Sequence, residues 1–299
     1  MRPTRTSPVL LLLLASLSWG LSAALSKIAL EQVTPVDLFG VEVAMGALFI
    51  GAAALARGAR PARPSVSVLL LGVLDPGLAI LLFDVGLAHT AASHGALLVS
   101  TDSLFTVALA TVLLRERLNR RLGLALAAGL AGSVLVSLQG GGSMSSPTGD
   151  LLVIAGSLTA AGYSVLARRI APGRNALSLT AEQMLGAALV ALPLAAFATA
   201  GSHTRLGHAG AGYLVVALAA ALLSSVVPFL LYNTAIEEVT ASAAAIVLTL
   251  VPVFGTLAAL VLLSESLGSA QLAGGAFVVV AAGLAASNAT GAPGARCAA

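Results

Sequence analysis

Charge is scarce in this chain. Only 9% of the 299 residues are Asp, Glu, Lys or Arg, whereas a soluble domain carries about 25%. A water-facing surface is hard to assemble from such a composition. Cysteine is nearly absent too. The single Cys297 excludes disulfides within one chain and thiolate metal clusters. Aromatic residues are 4% of the total, so interfacial belts of Trp and Tyr are thin. No polar stretch is long enough to make a second, soluble domain. The motifs of several enzyme classes are also missing. There is no Gly-x4-Gly-Lys-Ser/Thr phosphate loop, which argues against ATP-driven work by this chain alone. Neither a Gly-x-Ser-x-Gly elbow nor a His-Glu-x-x-His pair occurs, so hydrolysis and metalloprotease chemistry lack their usual parts. The chain is read as not an enzyme, with no cofactor and no metal.

What is present is hydrophobic. Apolar residues make up 58% of the chain and mean hydropathy is +1.01. The apolar residues fall into ten stretches, approximately 8–29, 35–56, 65–87, 91–114, 121–139, 149–169, 177–200, 210–232, 240–263 and 270–288. A membrane-spanning helix needs about 20 such residues. Helix is the state expected here, because lipid-exposed backbone must satisfy its own N–H and C=O groups. The fold class expected is therefore an all-α polytopic membrane protein of ten transmembrane helices, with lipid as its solvent. Small residues such as Gly123, Gly129, Gly132, Gly274, Gly275 and Gly283 are expected to allow close helix approach. The opening, with Arg2, Arg5 and the Leu10–Leu14 run, resembles a signal peptide. It is expected to be kept, because it supplies the first span.

Basic residues set an orientation. With the N-terminus inside, thirteen arginines fall on the cytoplasmic side, among them Arg57, Arg115, Arg117, Arg168, Arg169 and Arg174, against Lys27 and Arg205 outside. Both termini are then cytoplasmic, in a multi-pass protein of a bacterial inner (plasma) membrane. The net charge of +3 and the pI near 9.6 follow from that placement and require no nucleic acid.

The second five stretches repeat the first five. Ser16-Leu17-Ser18 matches Ser157-Leu158-Thr159, Glu42 and Gly46 match Glu182 and Gly186, and Leu104-Phe105 matches Val253-Phe254. Glu116-Arg117-Leu118 matches Glu265-Ser266-Leu267. The halves are residues 1–140 and 149–290, followed by a cytoplasmic tail, 291–299. Five spans per repeat is an odd number, so the halves sit upside down relative to each other. Inverted repeats about a midplane site are a common construction of secondary transporters.

Trp19-Gly20, Phe83, Tyr232 and the segment from Pro252 to Glu265, Pro-Val-Phe-Gly-Thr-Leu-(x)7-Glu, resemble the EamA-type family of the drug/metabolite transporter (DMT) superfamily. The likeness covers essentially the whole chain and both repeats. It implies ten helices in two inverted five-helix repeats, and movement of small metabolites. Two departures stand out. Ser103 takes the place of the proline seen here as Pro252. Glu42 lies where the family commonly has an arginine, so no role of that arginine transfers.

Ionisable groups in hydrocarbon cost roughly 2.5–3.5 kcal/mol on insertion scales and usually face a cavity or a partner. Five acids qualify: Glu42, Asp75, Asp84, Asp102 and Glu182. Asp75 and Asp102 lie nearest mid-span, and Asp75 precedes Pro76-Gly77, a pair that interrupts helical hydrogen bonding. A carboxylate there can bind a substrate ammonium or be reversibly protonated; buried between helices it can equally be structural. Asp84, nine residues beyond Asp75, is expected on the opposite helix face. Glu42 and Glu182 are read as either a proton relay or helix anchors, and Glu116 and Glu265 as anchors at helix ends.

His203 and His208 fall in an outer loop. His89 and His94 are five residues apart, not the four of a helical metal pair. His94 is expected on the cavity side, sharing a face with Thr101. Trp19, Tyr163, Ser224, Ser225, Tyr232 and Asn233 are further candidates for a polar cavity, and Pro228 and Pro252 for kinks. The reading is a secondary transporter, an exporter of a small polar metabolite such as an amino acid or related compound. It works by alternating access and is coupled to protons, as a monomer or homodimer. The alternatives are a multidrug or toxic-compound efflux carrier, or a channel or other non-transporting membrane protein.

Overall fold

The computed structural model describes residues 7–58, 64–90, 92–99, 101–116, 120–137, 146–201, 203–264, 269, 272–274, 276–277 and 280–281. The described chain is helical, and each helix coincides with an apolar stretch. In order they are α1 (Pro8–Ala29), α2 (Pro35–Ala56), α3 (Val66–Ala88), α4 (Ala92–Val99), α5 (Thr101–Leu113), α6 (Arg120–Ser137), α7 (Pro147–Ile170), α8 (Ala176–Ala200), α9 (Ala211–Ala235) and α10 (Ala241–Leu262). Seven of them, α1, α2, α3, α7, α8, α9 and α10, are long and apolar enough to cross a membrane. Helices α4 and α5 together occupy the fourth expected stretch and α6 the fifth. The tenth, 270–288, falls mainly outside the described residues, as do Gly275, Gly283, Glu265 and Cys297.

Helix starts follow their sequence signals. The Thr34 hydroxyl accepts from Asp37 N at 3.1 Å while Asp37 Oδ2 accepts from Thr34 N at 3.2 Å, a reciprocal cap with Pro35 in the first turn. Asn175 caps α8 through Leu177 N and Ser178 N, and Ser146 caps α7 through Gly149 N. Glu116 reaches across to α10, where its carboxylate accepts from Ala241 N, Ser242 N and Ser242 Oγ at 3.0, 3.1 and 2.6 Å. A negative group at a helix N-terminus meets unpaired N–H donors and the positive end of the dipole. This is the anchoring role expected of Glu116.

The distribution of polarity is the reverse of a soluble protein's. Leu48, Leu55, Val112, Leu192, Phe197 and Val261 stand exposed, while Glu42, Asp84, Gln183, Asn233 and many serines and threonines are buried. Large apolar side chains outside and carboxyl groups inside suit a bundle surrounded by lipid. This is a multi-pass membrane protein.

The helices pack mostly across the two halves. Helix α1 lies against α9 and α10, α3 and α5 lie against α7, α2 against both α8 and α9, and α3 against α8. The α3–α8 crossing is very close: a Cβ on Gly72 would run into the Gln183 carbonyl, and one on Gly186 into the Leu69 carbonyl. Close approach therefore sits at Gly72 and Gly186. Gly123, expected to serve it, has nothing within 4 Å of its would-be Cβ among the described residues.

Candidate functional site

Between the two halves lies a cavity of about 140 Å³. Its wall comes from α1, α2, α3, α4, α5, α7, α9 and α10. Four carboxyl groups line it, Glu42, Asp75, Asp84 and Asp102, and no Lys or Arg does among the described residues.

Asp75 is placed by a break in α3. Residues Val73–Leu78 form a π-helical turn, and Asp75 itself has φ −154° and ψ 123°, outside the helical range. Pro76 supplies no N–H to the ladder, so the chain bends there. The break carries Asp75 into the cavity wall, 8% exposed, where it neighbours Asp102 of α5. Asp102 in turn accepts a hydrogen bond from Thr106 Oγ1 at 3.0 Å. The two mid-span acids picked from the sequence thus line one cavity.

Asp84 also lines the cavity, which the sequence expectation did not have. Nine residues turn a regular helix by about half a revolution, but the irregular turn at 73–78 resets the phase of α3. Asp84 is 1% exposed and faces Glu42, equally buried, on α2. Ser224 Oγ donates to Glu42 Oε1 at 2.8 Å. The Glu42 and Asp84 carboxyl groups hydrogen-bond to each other, and Glu42 Oε2 and Asp84 Oδ2 have no other partner among the described residues.

Aromatic rings form another part of the wall. Trp19 and Tyr163 line the cavity together with Phe83 and Tyr232. Trp19 and Tyr163 both pack on Phe229, with ring centroids 5.5 and 5.8 Å apart in edge-on geometry. Their polar atoms are already used. Trp19 Nε1 donates to the Ser224 carbonyl at 3.0 Å and Tyr163 Oη to Asn233 Oδ1 at 3.0 Å. Asn233 does not reach the cavity. Its amide donates to Thr180 Oγ1 and Gln183 Oε1 at 2.9 and 2.7 Å, tying α7, α8 and α9 together. It holds Tyr163 in position.

The remaining candidates lie elsewhere. Glu182 sits at one end of the bundle, accepting from Ser65 N at 3.3 Å with Arg174 3.8 Å away. Its supposed mate is Glu42, but the helix caps give another register. Glu42 and Gln183 each stand eight residues past their caps, Thr34 and Asn175. Gln183 is fully buried like Glu42. Thr101 donates to the Leu98 carbonyl at 2.6 Å and is not part of the cavity wall. The His94 side chain lies outside the described residues. His89 ends α3, His208 lies in a short 3-10 turn and His203 stacks near Phe197. Ser225 is buried beside Ser224 but does not line the cavity. Among the described residues no three His, Cys, Asp or Glu side chains are grouped to hold a metal ion.

Comparison with known proteins agrees with this architecture. The model of the EamA-like transporter family matches twice, over residues 6–138 and 147–287. YyaM, an uncharacterized transporter of Bacillus subtilis (strain 168), is 29% identical over 193 residues, 63% of each chain. YetK, an uncharacterized transporter of the same organism, is 26% identical over 206 residues, 65% of this chain and 62% of YetK. The chain thus spans under two thirds of the length of the curated relatives it matches. A protein of known crystal structure superposes with a TM-score of 0.76 over 96% of this chain and 99% of its own, at 22% identity, a likeness of fold. With the family pattern present in both halves, this chain is a member of the EamA-like transporter family, within the drug/metabolite transporter superfamily.

Proposed function

We propose that the protein is a secondary transporter that exports a small polar metabolite, such as an amino acid or a related compound. The cavity between the halves is the observation that carries this reading, because it collects four acids from the first half and four aromatic rings, two from each half. A transporter needs such a polar hollow shared by two bodies that can rock against each other.

The two bodies are residues 1–140 and 149–290, with 291–299 as a tail, each a five-helix unit inverted relative to its partner. The pattern of packing supports a two-fold relation. α1 meets α9 as α3 meets α7, α1 meets α10 as α5 meets α7, and α2 meets α9 as α3 meets α8. Each of these cross-repeat contacts has a counterpart with the halves exchanged, as a two-fold relation requires. The chain works in a bacterial inner membrane with both termini cytoplasmic, as the arginine distribution favours, as a monomer or homodimer.

Asp75 and Asp102 are the substrate or coupling-ion carboxyls, and proton exchange on one of them drives the cycle. Trp19 and Tyr163 contact the substrate, Glu42 shares the cavity, and Asn233 positions Tyr163. His94, Thr101 and Glu182 stay outside this assignment. The aromatic share of the wall favours the toxic-compound efflux reading as the second choice.

The test is a metabolite profile of medium and cytosol from cells with and without the protein, repeated with Asp75→Asn and Asp102→Asn. A solute should accumulate in the medium with the wild type and fall back toward background in both variants. Unchanged export in both removes the site assignment; no exported solute at all removes the transporter reading.

A further inference from the structure

Helix α2 brings Glu42, and the second half of α3 brings Asp84, to one corner of the cavity, where the two carboxyl groups hydrogen-bond to each other. A carboxylate only accepts, so this bond needs a proton on one of the two. The same corner exists in the second half of the chain. Gln183 stands, like Glu42, eight residues past its helix cap. Asn233 lies eleven residues beyond Leu222, where a π-helical turn begins, as Asp84 lies eleven beyond Val73. There Asn233 Nδ2 donates to Gln183 Oε1 at 2.7 Å and joins α9 to α8. An amide carries its own donor and acceptor, so that bond needs no added proton. The carboxyl pair makes the equivalent bond between α3 and α2 only while it holds one.

The surroundings of the pair decide what losing that proton does. Ser224 of α9 donates to Glu42 but carries no charge. The titratable groups that share the cavity wall are Asp75 of α3, Asp102 of α5, Tyr163 of α7 and Tyr232 of α9. None of them is a cation. On α1, Lys27 directs Nζ to the Leu87 and Thr90 carbonyls at the end of α3. On α7, Asp150 stands in the first turn. Glu182, the charged residue of α8, meets Ser65 N and Arg174 at one end of the bundle, and α10 has no charged residue. Without its proton the pair is two negative charges in contact, with no cation in the wall among the described residues. Such charges are stable only apart and in water. Loss of the proton is thereby tied to opening of this corner: the carboxyl O–H bond breaks, a water molecule takes the proton as hydronium, and two hydrated carboxylates remain.

We propose that Glu42 and Asp84 form a proton-operated latch: one proton bound between them ties α2 to α3, and its release to water parts the two helices at this corner of the cavity. This rests on the reading of the cavity as the space that opens and closes during transport. The latch is a proton site separate from the carboxyls of Asp75 and Asp102. It also gives a function to the difference between the halves. Gln183 and Asn233 keep a permanent tie between α8 and α9, and Glu42 and Asp84 make the corresponding tie removable.

Trp19, the only tryptophan, reports on the latch, because its Nε1 donates to the Ser224 carbonyl and Ser224 Oγ is the donor to Glu42. In the purified full-length protein, raising the pH should shift Trp19 emission reversibly to longer wavelength as water enters. Over the same range the wild type should release one proton more than Glu42→Gln/Asp84→Asn. That variant installs the amide pair of the second half, so its emission should stay constant. Asp75→Asn/Asp102→Asn should keep the shift. No shift or no extra proton in the wild type overturns the proposal. So does a shift that survives in Glu42→Gln/Asp84→Asn, or one that is lost in Asp75→Asn/Asp102→Asn. If the amide-pair variant does not fold, Asp84→Asn alone decides, because its amide donates to the Glu42 carboxylate without a bridging proton. Export assays separate the latch from the carrier reading. The expected shift in a protein that exports nothing leaves the latch and sinks the carrier; export without the shift does the reverse.

Discussion

Trp19 Nε1 donates a hydrogen bond to the main-chain carbonyl of Ser224, 205 residues away and 3.0 Å distant. That carbonyl lies four residues before Pro228, which has no N–H to return to it. The only tryptophan of the chain thus replaces the donor that a proline removed from the other half. Ser18 Oγ donates to the neighbouring Leu223 carbonyl at 2.8 Å. The irregular turn Leu222–Val226 is held open by α1, and Ser224 Oγ is kept pointing at Glu42.

Trp19→Phe keeps a ring and deletes the donor. It should lower stability by about 1–3 kcal/mol, the cost of orphaning a buried carbonyl. Thermal unfolding in detergent measures this, and substrate KM should rise because Ser224 loses its placement. An unchanged transition temperature would show the carbonyl finds another donor.

The α3–α8 crossing predicts a contrast between glycines. Gly72→Leu puts a side chain where the Gln183 carbonyl lies, and Gly123→Leu puts one where no described residue lies within 4 Å. Overpacking typically costs about 1–3 kcal/mol. Size-exclusion yield and thermal unfolding should therefore fall for Gly72→Leu and stay near wild type for Gly123→Leu.

How much of this was readable beforehand depends on what each residue's position needs. Apolar length places the helices, because lipid demands it at every turn. Asp75 and Asp102 stand out as charges far from the ends of their apolar stretches, and both line the cavity. Asp84 was assigned to the wrong face because helical phase was counted through residues 73–78, where the helix is not regular. Pro76 was visible, but the π-helical turn around it is a tertiary outcome of packing against α7 and α8. Glu182 looked like the mate of Glu42 because the residue types agree. The caps at Thr34 and Asn175 put Gln183 there instead, and cap geometry is a better ruler than identity. Gly72 carried no sign of its role, since only the crossing partner defines a close approach.

Asn233 is a buried hub, so Asn233→Leu strands Gln183 Oε1 and removes the acceptor of Tyr163 Oη. The expected loss is about 1–3 kcal/mol for each stranded group, enough to shift the thermal transition by several degrees. Asn233→Asp should recover the bond from Tyr163 but not the one to Gln183, and fall between. Equal transitions for the three proteins would remove Asn233 from this role.

Glu116→Ala uncaps α10. The main-chain donors of Ala241 and Ser242 lose their acceptor, at about 0.5–2 kcal/mol for a lost cap. Hydrogen exchange should quicken at the first turn of α10, while the ligand preferences of the cavity stay as they are. Slow exchange retained at Ala241 and Ser242 would mean that another group caps the helix.

The account turns on one cavity that opens in turn to each side of the membrane. Ser157 is in its wall, near the middle of α7, and 4% exposed. A Ser157→Cys protein carrying Cys297→Ser has a single thiol at that point. Reconstituted in one orientation, it should react with a membrane-impermeant thiol reagent added to either face, and transported solute should slow both reactions. Reaction from one face only, whatever solute is present, would contradict alternating access through this cavity.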